Sequence, residues 1–463
     1  MGKLKNYNSV ARFIHFQTPN QELNSKMPEN TNQSHVITID EEVVLMNAQM
    51  KESPKLLRKS AGNSSCCIFR VPQSLAEINK EAYRPQIVSI GPYHHGKKDL
   101  EMIQEHKWRY LDDMITRTGK SLGVFMNIIV SMENKIRESY SESTDCFGTN
   151  DLAKMMVLDG VFLIQLFLKV GQLVPSHQDD PIFRMAWIRP LLTGDLLRIE
   201  NQIPFFVLQE LFKEFEHGTR TLQPLILEFF NYMVDRRPTT LRNCENLDGK
   251  HLLDFFRMSY INTIDSRISV VPNEPNPYTG LIKPATKLQF DGVRFRVNHQ
   301  ADSFLDIKLQ NGMLLIPQIT VDDLFTSFLM NCMAFEQCYN CHCLKEITAY
   351  IVFMGCLLDS SRDLSLLLQK NIIKNYFGTN KEILNLFNQV GKSMAFDVKT
   401  NYLGHLFWGL NVYTRYGWNV AWAQFMYTYF EHPWALISLI VGIIGLNLTA
   451  IQAFYAVYSH KNN

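Results

Sequence analysis

The 463-residue chain has almost no surplus of charge, with 46 Lys and Arg against 45 Asp and Glu, a formal net charge of +1. Without a net field to draw phosphate backbones, nucleic acid is excluded as a partner class. A secretory leader is not expected either. Lys3, Lys5 and Arg12 lie in Met1–Gln17, but the apolar runs beside them, Val10-Ala11 and Phe13-Ile14, are too short for a signal core. Gly2 suits acylation, yet Asn6 occupies the position that wants Ser or Thr. The nine cysteines are odd in number and, with no leader, read as reduced thiols, so a cytosolic domain is expected. The sequons at Asn32 and Asn63 matter only if that domain faces a lumen.

Charge is also missing from Pro433–Ser459, 27 residues near the end of the chain, and this absence decides the class of protein. A helix over Ala435–Tyr455 would be roughly 30 Å long, the thickness of a bilayer's hydrocarbon core. Leu, Ile, Val or Phe fills 11 of those 21 positions, an apolar gain of roughly 3 to 7 kcal/mol. Trp434, Tyr455 and Tyr458 stand where interfacial aromatics belong. We expect one transmembrane helix over 434–458 followed by a short tail at 459–463. It would insert after synthesis and leave the large domain in the cytosol, at the plasma membrane or an endomembrane.

One face of that helix collects small and polar residues. Ala435, Ser438, Gly442, Gly445, Thr449, Gln452 and Ala456 recur at alternating steps of three and four, a seam of 3.5-residue period. In lipid, helices associate by close backbone approach and interhelical hydrogen bonds. The seam therefore predicts packing against a second span, from another copy or a relative. The lipid bilayer is the other expected partner.

Upstream, residues 1–65 are rich in Asn, Gln, Ser and Lys and read as a mostly disordered polar tail with a helical candidate at Glu41–Met50. The folded domain, 66–430, begins where apolar clusters separated by turns appear at Cys66. Helical spacing follows at Leu100–Thr118, Leu122–Ser139 and Asp151–Val170, the last with Asp151 as N-cap. Asp195–Leu208 reads as a helix meeting a second one, with Pro204 in the first turn of the latter. Further helices are predicted at Leu222–Met233, Leu252–Ile261, Val321–Asn340, Glu346–Leu358, Asp363–Gln369, Glu382–Val390 and Tyr402–Phe430, and a loop at Val271–Tyr278. Val293–Val297, Phe304–Leu309 and Met313–Pro317 read as strands, the last two joined by Asn311-Gly312. The fold class expected is mainly α, a multi-helix globular domain with a small antiparallel β-meander near 293–317, plus one C-terminal transmembrane helix.

Motifs that would carry chemistry are few. Gly119-Lys120-Ser121-Leu122-Gly123 fits the Gly-x-Ser-x-Gly pattern, which needs a strand before the serine; Leu111–Thr118 reads as a helix, so a helix-to-helix turn is expected. Gly119-Lys120-Ser121 and Gly391-Lys392-Ser393 lack the first glycine of a phosphate loop, replaced by Met114 and Leu386. Cys332, Cys338, Cys341, His342 and Cys343 are the best metal candidates, with Cys338, Cys341 and Cys343 nearest to a zinc set, but no second separated Cys pair accompanies them. We predict no bound metal and no cofactor. His94-His95 reads as a Gly-Pro turn, and Glu200-Asn201-Gln202 as side chains that satisfy helix-end backbone groups.

Several blocks together carry a family resemblance. Ser89-Ile90-Gly91-Pro92-Tyr93-His94-His95-Gly96, Glu105–Leu111, Leu197–Leu208, Asn331–Cys338 and Tyr429–Trp434 resemble, in order, motifs of the plant family built on the domain of unknown function numbered 247. The resemblance runs over roughly Ile68–Tyr458. Arg198-Ile199 departs from the usual pair of leucines. The resemblance implies a mostly helical plant membrane protein with one carboxy-terminal span and no established enzymatic activity; some grass members are implicated in self-incompatibility recognition. The function expected is non-catalytic recognition or signalling through a protein partner. The alternative is a membrane-bound hydrolase using Ser121.

Overall fold

The computed structural model describes residues 39–215, 220–231, 246–262, 281–339, 342–376, 378–392, 401–415 and 433–461. The chain divides into two units, Met1–Ser53 and Pro54–Asn463. In the first, α1 (Ile39–Lys51) is the expected helix, with Glu42 to Met50 exposed.

The second unit begins at Pro54, ahead of the composition change at Cys66. Its polar residues fold because their backbone groups find partners. Arg58 N–H donates to the Ser141 carbonyl at 2.8 Å, and Tyr339 Oη donates to the Ser64 carbonyl at 2.8 Å. Composition alone does not report such bonds.

Helices dominate this unit. After the short α2 (Gln73–Ala76) come α3 (Glu101–Thr118), α4 (Leu122–Ser131), α5 (Glu133–Glu138) and α6 (Thr149–Val170). Gly119, at a φ of 66°, ends α3 in a left-handed cap. The helix expected over 122–139 breaks at Met132, and α6 starts two residues before Asp151, with Gly148 as its N-cap. Asp151 instead sits in the first turn, where its charge favours the positive end of the helix dipole.

Nearly every residue of α6 from Leu152 to Lys169 is buried, including the polar Asp159, Gln165 and Lys169, which therefore need internal partners. Packed around it are α3, α4, α9 (Phe205–Phe212) and α10 (Leu222–Phe230). Between lie α7 (Pro181–Arg184) and α8 (Ile188–Leu196). Pro204 is the N-cap of α9, one position ahead of where the spacing puts it.

The rest of the body comprises α11 (Leu252–Ile261), α12 (Ala285–Phe290), α13 (Asp323–Cys338), α14 (Glu346–Leu357), α15 (Ser361–Gln369), α16 (Asn380–Lys392) and α17 (Gly404–Tyr413). Asp322 caps α13 through the Phe325 N–H, and Ser360 with Asp363 forms a capping box on α15. The loop expected at Val271–Tyr278 lies outside the described residues, as does 416–430.

The predicted strands are present as β1 (Arg294–Val297), β2 (Lys308–Gln310) and β3 (Met313–Ile316). Asn311 and Gly312, at φ of 49° and 73°, make the β2–β3 hairpin as expected. The sheet is not a meander, however: its order is β1-β3-β2, with β1 parallel to β3. The connection after β1 carries Phe304 and Leu305, and the Phe304 ring packs into the core against Tyr260 and Tyr350, with centroids 4.8 and 4.9 Å away. That inward excursion separates β1 from β2, and β3 returns between them. A second small sheet pairs β4 (Ile319–Val321) with β5 (Ile373–Asn375) in parallel.

Candidate functional site

Residues 87–91 are buried, yet belong to no strand among the described residues, so their backbone groups need other partners. Side chains supply them. The Asp195 carboxylate accepts the N–H groups of Gln86, Ile87 and Val88 at 2.8 to 3.1 Å, and Arg198 Nε at 3.1 Å. Burial raises the Asp195 pKa, and these donors only partly offset it. Asn201 accepts the Ile90 N–H at 2.7 Å and donates to Val88 and Asp195 carbonyls. Asp159, from the middle of α6, accepts the Gly91 N–H at 2.8 Å. Its other oxygen meets Lys107 Nζ at 2.5 Å, and that ammonium also donates to the Ser89 carbonyl. Gly91 has a φ of 73° and lies so close to the Gln202 carbonyl that a Cβ would collide with it.

Beside this segment, the first family block and α3 frame a cleft of about 490 Å³. Its lining includes Ser89, His95, Lys97, Trp108, Phe147 and Lys154. Trp108 is half exposed, Lys154 Nζ lies 5.2 Å from the centroid of its ring, and His95 meets Phe147 edge-on at 5.7 Å. Ser89 Oγ is buried without a hydrogen-bond partner. The lining is mixed, with Leu100, Trp108, Phe147, Met155 and Leu158 supplying apolar surface and Lys97, Glu101, Asp151 and Lys154 supplying charge of both signs. His94 is directed elsewhere. Its Nδ1 accepts from Lys97 Nζ at 2.7 Å, while Nε2 lies 3.2 Å from Glu200, off the line of a hydrogen bond. Burial lowers its pKa, with Glu200 opposing.

The last helix, α18 (Pro433–Lys461), contains the apolar window Ile437–Phe454, whose mean hydropathy is 2.0 and of which none is buried. By length and composition it is able to cross a membrane. It covers the expected span and continues past Tyr458 to Lys461.

A family model described as a plant protein of unknown function, DUF247, matches residues 68–448. The chain belongs to the DUF247 family. It is 39% identical over 434 residues to a UPF0481 protein of Arabidopsis thaliana, covering 89% of this chain and 90% of the relative. A putative UPF0481 protein of the same plant is 23% identical over 523 residues, at 91% and 96% coverage. No solved structure matches the chain.

The polar residues of the DUF247 blocks act as joints of the fold. Glu200 accepts the Val71 N–H at 2.8 Å and Arg70 Nη1 at 2.9 Å. Burial pushes its pKa up, but His94, Val71 and Arg70 outweigh that and leave it lowered. Gln202 donates to the Leu196 and Arg198 carbonyls and accepts the Leu253 N–H. Asn331 accepts the Ile199 N–H at 3.0 Å and donates to the Ala82 carbonyl at 2.8 Å. Glu336 holds Arg257 and the N–H groups of Ile347 and Thr348. The structural role expected for Glu200-Asn201-Gln202 thus extends to Asn331 and Glu336.

Ser121 is the exposed N-cap residue between α3 and α4, a helix-to-helix turn without the strand that an elbow needs. Gly391 and Lys392 lie in α16, and Ser393 is outside the described residues. Of the cysteine group, Cys341 is also outside them. Cys332 is buried in α13, and Cys343 Sγ lies 3.6 Å from the Tyr339 carbonyl. Burial raises the Cys338 thiol to about 11 and the Cys343 thiol to about 12. His342 Nε2 lies 2.9 Å from the Gly62 carbonyl. Among the described residues no three His, Cys, Asp or Glu side chains come together as a metal site.

On α18, Ser438, Gly442, Gly445, Thr449 and Gln452 share one exposed face. Ala435 and Ala456 fall on the same line of the backbone. The hydroxyls of Ser438 and Thr449 donate to the Trp434 and Gly445 carbonyls of their own helix, at 2.9 and 2.8 Å. The seam reading passes over Asn447, which lies on the opposite face. Its signal was present in the sequence as a second set of positions at alternating steps of three and four.

Proposed function

We propose that this DUF247 protein is a non-catalytic, membrane-tethered recognition or scaffold protein. In this reading α18 crosses the bilayer once, the helical body faces the cytosol, and the body binds a protein partner or a related family member. Association of spans in the membrane is part of the same reading. The observation that carries it is α18 itself, a long apolar helix with no residue of its Ile437–Phe454 window buried, whereas the shorter apolar helix Glu346–Leu357 is almost wholly buried in the body. Contiguous apolar surface of that extent marks contact with lipid or protein.

Two features support recognition over catalysis. The buried Lys107, Asn201, Gln202, Asn331 and Glu336 of the family blocks end on backbone groups or on other side chains, which holds the fold together. The cleft beside Trp108 joins aromatic walls to a buried hydroxyl with no internal partner, which suits an inserted side chain. The test is affinity purification of the full chain from native membranes, with wild type beside Trp108→Ala. The reading expects a stoichiometric partner lost or strongly depleted with the variant. Equal recovery would remove the cleft from recognition. Glycosylation at Asn32 or Asn63, seen as a mobility shift on endoglycosidase treatment, would overturn the cytosolic placement.

A further inference from the structure

Ile437, Ile440, Ile444, Asn447, Ile451 and Phe454 recur along α18 at steps of three, four, three, four and three. This is the spacing of a heptad seam, with isoleucine at three consecutive equivalent positions (437, 444, 451) and one amide in the other series. At about 100° per residue, Asn447 lies on the side of the helix away from Gly445 and Thr449. It also lies near the middle of the apolar window Ile437–Phe454.

Asn447 Nδ2 donates to the Ile443 carbonyl at 2.8 Å. That bond uses one of the two amide hydrogens and leaves the carbonyl oxygen to be satisfied. Hydrocarbon offers neither donor nor acceptor, and an unmet polar group there is costly. Only a partner with a polar group at the same depth removes that cost. A carboxamide is donor and acceptor at once, and a second copy in the same orientation places its own Asn447 at that depth. On the small-residue face the hydroxyl donors of Ser438 and Thr449 are already bonded within the helix, and the amide of Gln452 lies two residues from the end of the apolar window, where a long polar side chain can snorkel to the interface.

We propose that α18 pairs in parallel with α18 of a second copy through the Ile437–Phe454 face, the two Asn447 side chains exchanging hydrogen bonds. The proposal rests on α18 being a membrane span and assigns its pairing to the face opposite the small-residue seam.

The test is energy transfer between two fluorescently tagged full-length copies at low density in membranes. Wild type is compared with Asn447→Leu, Asn447→Gln and Gly442→Ile/Gly445→Ile, each checked for resistance to alkaline carbonate. Asn447→Leu makes the helix more apolar, so it inserts at least as well and isolates the amide. We expect transfer above random proximity for wild type, association about 3- to 30-fold weaker for Asn447→Leu, near-wild-type association for Asn447→Gln, and little change for the glycine variant. Wild-type transfer unchanged by Asn447→Leu, or abolished by the glycine variant alone, overturns the proposal. Carbonate-resistant wild type without transfer overturns the pairing but leaves the anchor standing. Release by carbonate overturns both.

Discussion

Arg257 Nε donates to Glu336 Oε1 at 2.8 Å in the fully buried core, joining α11 to α13. Asp254 and Glu346 reach the same guanidinium at 3.3 and 2.9 Å, so one cation faces three carboxylates. Burial opposes the guanidinium's charge, but the carboxylates more than compensate and its pKa rises. The excess of negative charge falls on Glu346. Burial, reinforced by Glu336 against the pull of Arg257, raises its pKa from 4.5 to about 7.

The pH dependence follows from that shift. Between about 4.5 and 7 the folded chain holds a proton on Glu346 that the unfolded chain has released, so this residue makes stability fall as pH rises, by roughly 3 kcal/mol in all. Glu346→Gln removes the slope. Relative to wild type, the variant should gain stability from pH 5 to pH 8, measured by denaturant unfolding of the detergent-solubilised chain.

His251 acts with the opposite sign. Its ring is fully buried, which lowers its pKa from 6.5 to about 4, so between those values the unfolded chain binds the proton. Stability therefore falls on acidification from 6.5 to 4, again by roughly 3 kcal/mol. His251→Gln should flatten that limb of the same titration, while losing stability at pH 7 because Nδ1 no longer accepts the Asp254 N–H.

Lys107→Met should destabilise the body by about 3 to 5 kcal/mol, because Asp159 is left as a buried carboxylate whose remaining donor is the Gly91 N–H. Unfolding midpoints at pH 7 check this.

Two glycines of one block separate backbone strain from crowding. Gly96, at a φ of 76°, has open space where a Cβ would go, so Gly96→Ala should cost about 1 kcal/mol. At Gly91 the same strain is joined by collision with the Gln202 carbonyl, and Gly91→Ala should cost about 3 kcal/mol. Equal losses would show that the close approach does not matter.

Elemental analysis of the purified chain should find no stoichiometric zinc, since Cys338, Cys341 and Cys343 are crowded in sequence and no second separated Cys pair accompanies them. One zinc per chain, lost on Cys341→Ser, would reverse that conclusion.

Much of this architecture was legible in the sequence because it is written in local signals. The 3.6-residue period gave the helices now seen as α3, α6, α11 and α14, and Asn311-Gly312 gave the hairpin. What was not legible depends on contacts between distant residues. The parallel pairing of β1 with β3 follows from where Phe304 packs, and the early start of the body follows from bonds such as Arg58 to Ser141. The cleft was hidden for the same reason, since Ser89, Trp108 and Phe147 meet only in the fold. The blocks that carry the resemblance were visible, but not that Asp159, Asp195, Asn201 and Asn331 tie them together. Asn447 is a single amide among isoleucines, so the small-residue pattern on the other face is the stronger periodic signal in this helix.

Alkaline carbonate extraction of membranes carrying the full-length chain tests most directly whether α18 is a membrane span. A spanning helix keeps the protein in the membrane pellet, whereas a peripheral chain is stripped from it. Retention in the pellet is expected, with release when Ile440 and Ile444 are both changed to Asp. Release of the wild-type chain into the supernatant would contradict the spanning assignment.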